Sequence, residues 1–314
     1  MSFAFLFPGQ GSQALGMGAD LADAFPAARA VFEEVDDALD QRLFKMMRDG
    51  PLEDLTLTRN AQPALMAVSL AVMATLRAEF GIEVERAAFV AGHSLGEYSA
   101  LAAAGALGLA DTARLLRLRG EAMQRAVPVG AGAMASLIGP KADVALAEAA
   151  AAAAASAGVC AVANDNNVGN VVISGDKAAV DQAIVKAREL GARAIPLNVS
   201  APFHCSLMAP AAEEMARALA EVVIRAPRAP IVANVTARPT LDVDQIRPLL
   251  VEQVTARVRW RESILWLASE GGVTRFAEAG SGKVLTGIAK RIVPDAEALA
   301  LGAPADLEAF ARSL

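Results

Sequence analysis

The sequence predicts an α/β protein in two units, a large one built on a mostly parallel sheet and a small one inserted into it. Three observations carry this. Short apolar runs alternate with helical stretches up to about residue 126, and the same texture returns after residue 197, as in sheets covered by helices. Between them, over residues 127–197, the order is strand, helix, strand, strand, helix, strand, the split βαβ or ferredoxin-like arrangement, compact by itself. A length of 314 residues suits roughly two domains. The expected division is therefore 1–126 with 198–314 for the large unit and 127–197 for the small one.

In chain order, Phe3 to Phe7 is a continuous apolar run stopped by Pro8, as a strand buried on both faces reads. Residues 28–47 and 63–79 carry helical patterns; Pro63 suits a first turn and Gly81 a C-terminal cap. The short apolar run 87–91 leads into Gly92-His-Ser-Leu-Gly96 and a helix over 97–104, a strand, a glycine-flanked turn and a helix. Residues 109–126 are helical, with Asp111 favouring the N-terminal dipole. In the small unit, strands are expected over 134–138, 159–163, 170–174 and 193–197, with helices over 142–155 and 176–190 and a polar loop over 164–169.

Composition narrows the function. Hydrophobic residues make up 54% and charged residues 20%, enough for a sizeable core and against disorder. A net charge of −6 argues against a nucleic-acid binder. Two cysteines and two histidines, without metal-type spacing, argue against a disulfide framework or a His-rich zinc site. Met1 to Phe7 is short and lacks a basic n-region, and 63–80 is interrupted by Ser69, Thr75 and Arg77. The expectation is no secretory signal, no membrane span and a cytoplasmic protein with reduced thiols.

Gly92-His-Ser94-Leu-Gly96 matches G-x-S-x-G, in which glycines let a sharp strand-to-helix turn hold the serine at a helix N-terminus, beside N–H groups that stabilise an oxyanion. A serine nucleophile needs a base. His93 adjoins Ser94 on the turn and should point away from its reacting face, so His204 is left as the base by elimination. The group orienting that base stays open at this point. Cys205 lacks a glycine-built turn and reads as a small buried side chain. Asn164-Asp-Asn-Asn167 lacks the glutamate and flanking helices of a calcium loop. Gly280-Ser-Gly-Lys283 lacks the full phosphate-loop spacing.

Taken together, these residues resemble the malonyl-CoA:acyl carrier protein transacylase family over essentially the whole chain. The resemblance rests on Phe7-Pro-Gly-Gln-Gly-Ser-Gln13, Gln62-Pro-Ala64, Gly92-His-Ser-Leu-Gly-Glu-Tyr-Ser-Ala100 and Leu118-Arg-Gly120. It continues through Val172-Ile-Ser-Gly175, Pro202-Phe-His-Cys205 and Gly280-Ser-Gly-Lys-Val-Leu285. It implies an α/β-hydrolase-like large domain with a ferredoxin-like insertion, Ser94 as nucleophile and His204 as base. It also implies backbone N–H groups of Gln10 and Leu95 as the oxyanion hole, Arg119 on the malonyl carboxylate, and the main-chain carbonyl of Gln253 as the group holding His204. Malonyl-CoA and acyl carrier protein would be the partners, with coenzyme A thioester as a substrate, no retained cofactor or metal, and a monomer expected.

Two departures from the family pattern stand out: Val168 and Asn170 occupy positions where Pro and Gln are common, and Phe203 a position that a Ser also occupies in some members. By spacing alone Arg119 is one of several arginines on its helix, with Arg114, Arg117 and Arg125; the family match singles it out. Rival readings are a serine hydrolase, a malonyltransferase serving a polyketide synthase, and a silent docking module, which would lack Ser94 and His204. Lys283, Lys290 and Arg291 are candidates for a carrier-protein patch, against an ordinary charged helix face.

Overall fold

The computed structural model describes residues 2–314. Its strands, in chain order, are β1 (Phe3–Phe7), β2 (Phe89–Gly92), β3 (Gly132–Ile138), β4 (Cys160–Asn167), β5 (Asn170–Asp176), β6 (Arg193–Pro196), β7 (Ile231–Val232), β8 (Pro239–Thr240), β9 (Arg275–Ala279) and β10 (Glu297–Leu301). They form two sheets. Six strands in the order β10-β9-β1-β2-β7-β8 make the large one, and four in the order β4-β5-β3-β6 the small one. In the large sheet every pairing is parallel except β7 with β8. The small sheet is antiparallel throughout.

β1 is central, and all five of its residues are buried. Its side chains alternate between the two faces. Phe3, Phe5 and Phe7 join the main core with the Thr58–Phe80 helix, while Ala4 and Leu6 pack on the opposite face with Trp260 and Phe276. A strand covered on both faces reads as an unbroken apolar run, which is why Phe3 to Phe7 was legible. From β1 the chain adds β2 on one side, and later β9 and β10 on the other. The carboxyl ends of β1 and β2, with Phe7 beside Gly92, therefore flank a crevice of the kind where open α/β sheets bind ligands.

Several expected boundaries move. The single helix expected over 28–47 is two helices, Pro26–Leu39 and Leu43–Asp49, because Asp40 turns left-handed at φ 46°. The Asp36 carboxylate then accepts the Phe44 N–H at 2.9 Å and secures the restart. Pro63 lies inside the Thr58–Phe80 helix instead of opening it. One backbone hydrogen bond is forfeited near the helix start, against burial of Ala61, Ala64 and Leu65. The polar loop expected over 164–169 is mostly strand. β4 runs on through Asn167 because its polar side chains find partners, Asp165 with Arg261 at 3.1 Å, while the Asp165 N–H donates to Val258 O at 3.0 Å. Among the described residues one helix, Thr58–Phe80, is long and apolar enough to cross a membrane; 72% of its apolar window is buried inside the protein.

Candidate active site

Ser94 sits between β2 and the Leu95–Ala103 helix with φ 53° and ψ −109°, a conformation that is strained for a residue with a Cβ. The flanking glycines are needed because backbones nearly touch. A Cβ on Gly92 would come within 1.9 Å of the Gly96 carbonyl oxygen, and one on Gly96 within 2.2 Å of the Phe7 oxygen. Asn234, just past β7, clamps this turn. Its Oδ1 accepts the Ser94 N–H and its Nδ2–H donates to Gly92 O, each at 2.7 Å.

His204 is 4% exposed and also has a left-handed backbone, at φ 59°. Its Nε2 lies 2.8 Å from Ser94 Oγ, and its Nδ1–H donates to the main-chain carbonyl of Gln253 at 2.9 Å. That carbonyl ends the Val243–Gln253 helix, where the last C=O groups have no helical partner. With Nδ1 carrying the proton, Nε2 is left as acceptor for the Ser94 hydroxyl. Burial, and then the nearby positive charge of Arg119, push the imidazole down to about 3, so it is neutral at pH 7.

Arg119 is 1% exposed, although it lies on the amphipathic Leu109–Ala126 helix among solvent-facing arginines. Its guanidinium donates to Gln62 Oε1 at 2.9 Å, Gln253 Oε1 at 2.8 Å and Ser94 Oγ at 3.1 Å. The Tyr98 ring lies 5.7 Å away, and Nε has no partner. Burial disfavours its charged form, opposed by the neighbouring Tyr98 and Glu97. Among the described residues it makes no ion pair, so this is a buried cation resting on amides, a ring and a hydroxyl.

These groups open into a cavity of about 600 Å³, whose lining includes Gln10, Leu95, Met123, Met134, Asn164 and Phe203. Gln10 follows β1 and Leu95 opens the helix after Ser94, so both backbones border the crevice; the Gln10 amide also donates to Thr58 Oγ1 at 3.2 Å. A slightly larger groove of about 650 Å³ lies elsewhere, lined mainly by residues 148–162 together with Arg257 and Arg259. It contains neither Ser94 nor His204, so size alone does not locate the chemistry.

Of the six residues singled out from the sequence, Gln10, Ser94, Leu95, Arg119 and His204 thus border one cleft, and Gln253 lies fully buried behind His204 and Arg119. The remaining candidates take other roles. His93 also borders the cavity, but its ring Nε2 pairs with Asn166 Oδ1 at 2.9 Å and the ring packs beside Trp260. Cys205 donates its thiol to Pro202 O at 3.2 Å. The segment after Gly280 has its helix N-terminus occupied by an internal carboxylate, as Glu278 accepts from Leu285 and Thr286. No group of metal-binding side chains exists among the described residues. Lys283, Lys290 and Arg291 are exposed and do not line the cavity. Sequence reasoning missed Asn234 and the part played by Glu97. Asn234 follows a two-residue strand and carries no pattern. Glu97 had a signal, as the one charged residue in an otherwise uncharged helix.

The site defines an acyl transferase, and the comparisons agree: the acyl transferase domain family model matches residues 4–296. A malonyl CoA-acyl carrier protein transacylase of Bacillus subtilis is 44% identical over 99% of this chain and 96% of its own. The crystal structure of an acyl-carrier-protein-S-malonyltransferase from Bartonella henselae superposes with a TM-score of 0.97 at 54% identity, covering 100% of this chain and 99% of that one. A malonyl-transacylase in complex with its type II PKS acyl-carrier protein superposes with a TM-score of 0.96 at 41% identity, covering 100% of each chain. The chain belongs to the acyl transferase domain family and, within it, to the malonyl CoA-acyl carrier protein transacylases.

Proposed function

We propose that this chain moves a malonyl group from malonyl-CoA to the phosphopantetheine thiol of acyl carrier protein, by way of a malonyl ester on Ser94, in fatty-acid synthesis. The observation that carries the reading is Arg119, a buried guanidinium 3.1 Å from the nucleophile with no carboxylate paired to it. A buried cation is costly to maintain alone. Its planar fork suits an incoming carboxylate, which it can meet with two parallel hydrogen bonds. In a malonyl thioester the carboxylate is separated from the reacting carbonyl by a single methylene, matching the closeness of Arg119 to Ser94.

In the first half-reaction His204 Nε2 takes the Ser94 proton as Oγ attacks the thioester carbonyl. The C–S bond breaks, and that proton leaves with the coenzyme A thiol. In the second, the carrier-protein thiol loses its proton to His204 and attacks the ester, and the proton returns to Ser94. The Gln253 carbonyl keeps the imidazole in register and stabilises the imidazolium formed at each step. Backbone N–H groups of Gln10 and Leu95 receive the negative oxygen of both tetrahedral intermediates, where losing one such donor costs about 3 kcal/mol.

The proposal extends to the architecture. The small sheet, with spatial order β4-β5-β3-β6 and two helices, supports a ferredoxin-like unit over 127–197. Residues 1–126 with 198–314 then form an α/β-hydrolase-like catalytic unit, with the active cleft between the two. In this reading the protein works as a cytoplasmic monomer, with coenzyme A thioester as substrate and no resident cofactor or metal. The likeness to a transacylase bound to a type II PKS carrier favours one alternative, service to a polyketide carrier protein.

Mass spectrometry after mixing with malonyl-CoA tests the central claim. An adduct on Ser94, discharged by holo-acyl carrier protein and stable in buffer alone, is expected. Discharge by water at the same rate would make the protein a hydrolase. Competition between fatty-acid and polyketide carrier proteins for the loaded enzyme decides the alternative.

A further inference from the structure

One buried charge in the site has no part in the steps above. Glu97 is 3% exposed, in the first turn of the helix that follows Ser94. Its Oε2 accepts two hydrogen bonds from segments remote in the chain, the Gln253 side-chain amide at 2.8 Å and the Asn234 backbone N–H at 3.1 Å. Each partner acts directly on the reacting pair. Gln253 offers its carbonyl to His204 Nδ1–H and also donates its side-chain amide to Ser94 O at 2.9 Å. Asn234 accepts the Ser94 N–H at 2.7 Å.

We propose that Glu97 is a positioning residue for the transfer reaction: its carboxylate ties Gln253 to Asn234, so that one keeps its carbonyl on His204 and the other keeps the Ser94 backbone in its strained turn. The proposal rests on the reading of Ser94 and His204 as nucleophile and base.

Three physical considerations support it. Gln253 is the final residue of its helix, and helix ends fray unless something anchors them. The Gln253 side chain is that anchor, and Glu97 is one of its fixed points. The left-handed backbones at Ser94 and His204 persist only where surrounding contacts over-determine them. A carboxylate is also costly to bury. Burial pushes Glu97 up to about 7, with the Gln253 and Asn234 hydrogen bonds opposing the rise. The contacts therefore depend on an acceptor oxygen in this place and not on a full negative charge. A glutamine there offers an oxygen at the same reach, whereas an aspartate keeps the charge but falls short by one methylene, about 1.5 Å.

That contrast is the experiment. Glu97→Gln and Glu97→Asp are compared with wild type by malonyl-transfer kinetics and by NMR of protein labelled with ¹⁵N-histidine. The two histidines of the chain, His93 and His204, keep the spectrum simple, and His93→Gln assigns it. The expected result is Glu97→Gln within about threefold of wild type, and Glu97→Asp down roughly 30- to 100-fold in kcat, the scale of a 1 Å misplacement. KM for malonyl-CoA should hold within about threefold, because Arg119 is retained. The His204 Nδ1–H resonance should persist in Glu97→Gln and be lost in Glu97→Asp, which a general loss of stability would not produce. Should Glu97→Asp fail to fold, Gln253→Met severs the same tie from its other end, removing the side-chain amide that Glu97 holds while keeping the main-chain carbonyl, with the same expected losses of kcat and of the His204 resonance.

Wild-type rate and resonance in Glu97→Asp would overturn the proposal. So would a loss in Glu97→Gln as large as that in Glu97→Asp, because an acceptor oxygen at full reach would then not be enough. The NMR signature needs no substrate, so it stands apart from the functional reading, which fails instead if Ser94→Ala still forms the malonyl adduct.

Discussion

Beneath Ser94 the large unit buries a dense polar network. Ser94, Glu97, Arg119, His204, Asn234 and Gln253 come from distant parts of the chain and satisfy one another with hydrogen bonds of 2.7–3.1 Å. The small unit has a different interior. Its core is largely alanine, including Ala135, Ala147, Ala150, Ala179, Ala183 and Ala187, with a few branched residues such as Val171 and Ile173. Small side chains let the Val144–Ala153 and Lys177–Glu189 helices pack closely on the sheet, and they offer no chemistry. At the cleft the small unit supplies wall, through Met134 and Asn164, and a brace, through Asn166 on His93. Reactive groups are thus concentrated where a strained turn can be held by several segments at once, and the small sheet contributes part of the cavity wall.

If that contrast is right, damage to the two regions should differ in kind. The largest effect is expected from Ser94→Ala, which should abolish the malonyl adduct seen by mass spectrometry while leaving the fold intact; a surviving adduct would move the nucleophile, with Cys205 the next place to look. His204→Ala should slow both half-reactions by roughly 10²- to 10⁴-fold, the usual worth of a positioned base, measured by stopped-flow release of coenzyme A. Arg119→Ala should lower malonyl transfer by about a hundredfold, the equivalent of about 3 kcal/mol for a buried charge contact. Acetyl transfer should be spared or raised, and Arg119→Lys should restore only part of the malonyl activity. Equal losses for both acyl groups would reduce Arg119 to a structural residue. In the small unit, Ala183→Leu should cost about 1–3 kcal/mol of stability through overpacking, read in a urea titration, and leave the acylation rate near normal. A collapse of activity on this change would erase the contrast.

The smallest effects are those of pH. His204 is held near 3 in the folded protein, against an ordinary 6.5. Acylation by the free enzyme should therefore stay flat as pH falls from 8 to 5, where an unshifted imidazole would already have lost its base form. For stability the signs oppose. Between 3 and 6.5 the unfolded chain binds the His204 proton more tightly, so this group's contribution falls as pH drops through that window. Glu97, raised from 4.5 to about 7, binds its proton more tightly when folded, so its contribution falls as pH rises through its window. Glu97→Gln removes the second slope. Its urea midpoint should consequently drop more steeply than wild type between pH 6.5 and 4.5.

Much of this was readable from sequence because its causes are local. The buried strand Phe3–Phe7, the glycine-flanked Ser94, and the run of helices and strands across 127–197 each follow from side-chain period and backbone sterics over a few residues. His204 emerged by elimination, since the chain has two histidines and one adjoins the serine. Arg119, Gln10, Leu95 and Gln253 came from resemblance. Nothing in the helical spacing separates Arg119 from Arg117 two positions earlier, yet one is buried at 1% beneath Ser94 and the other reaches out to Gln41. The break at Asp40, the continuation of β4 through Asn167, and the helix that runs through Pro63 were all decided by partners far away in the chain. So were Asn234 and Glu97, whose roles exist only through hydrogen bonds to residues more than a hundred positions distant. Local pattern determined where the turn and its nucleophile lie, since strain and apolar period act over a few residues. Tertiary structure alone decided which charge is buried beside that nucleophile and what holds the turn, because desolvation and hydrogen-bond satisfaction depend on whichever segments the fold brings together.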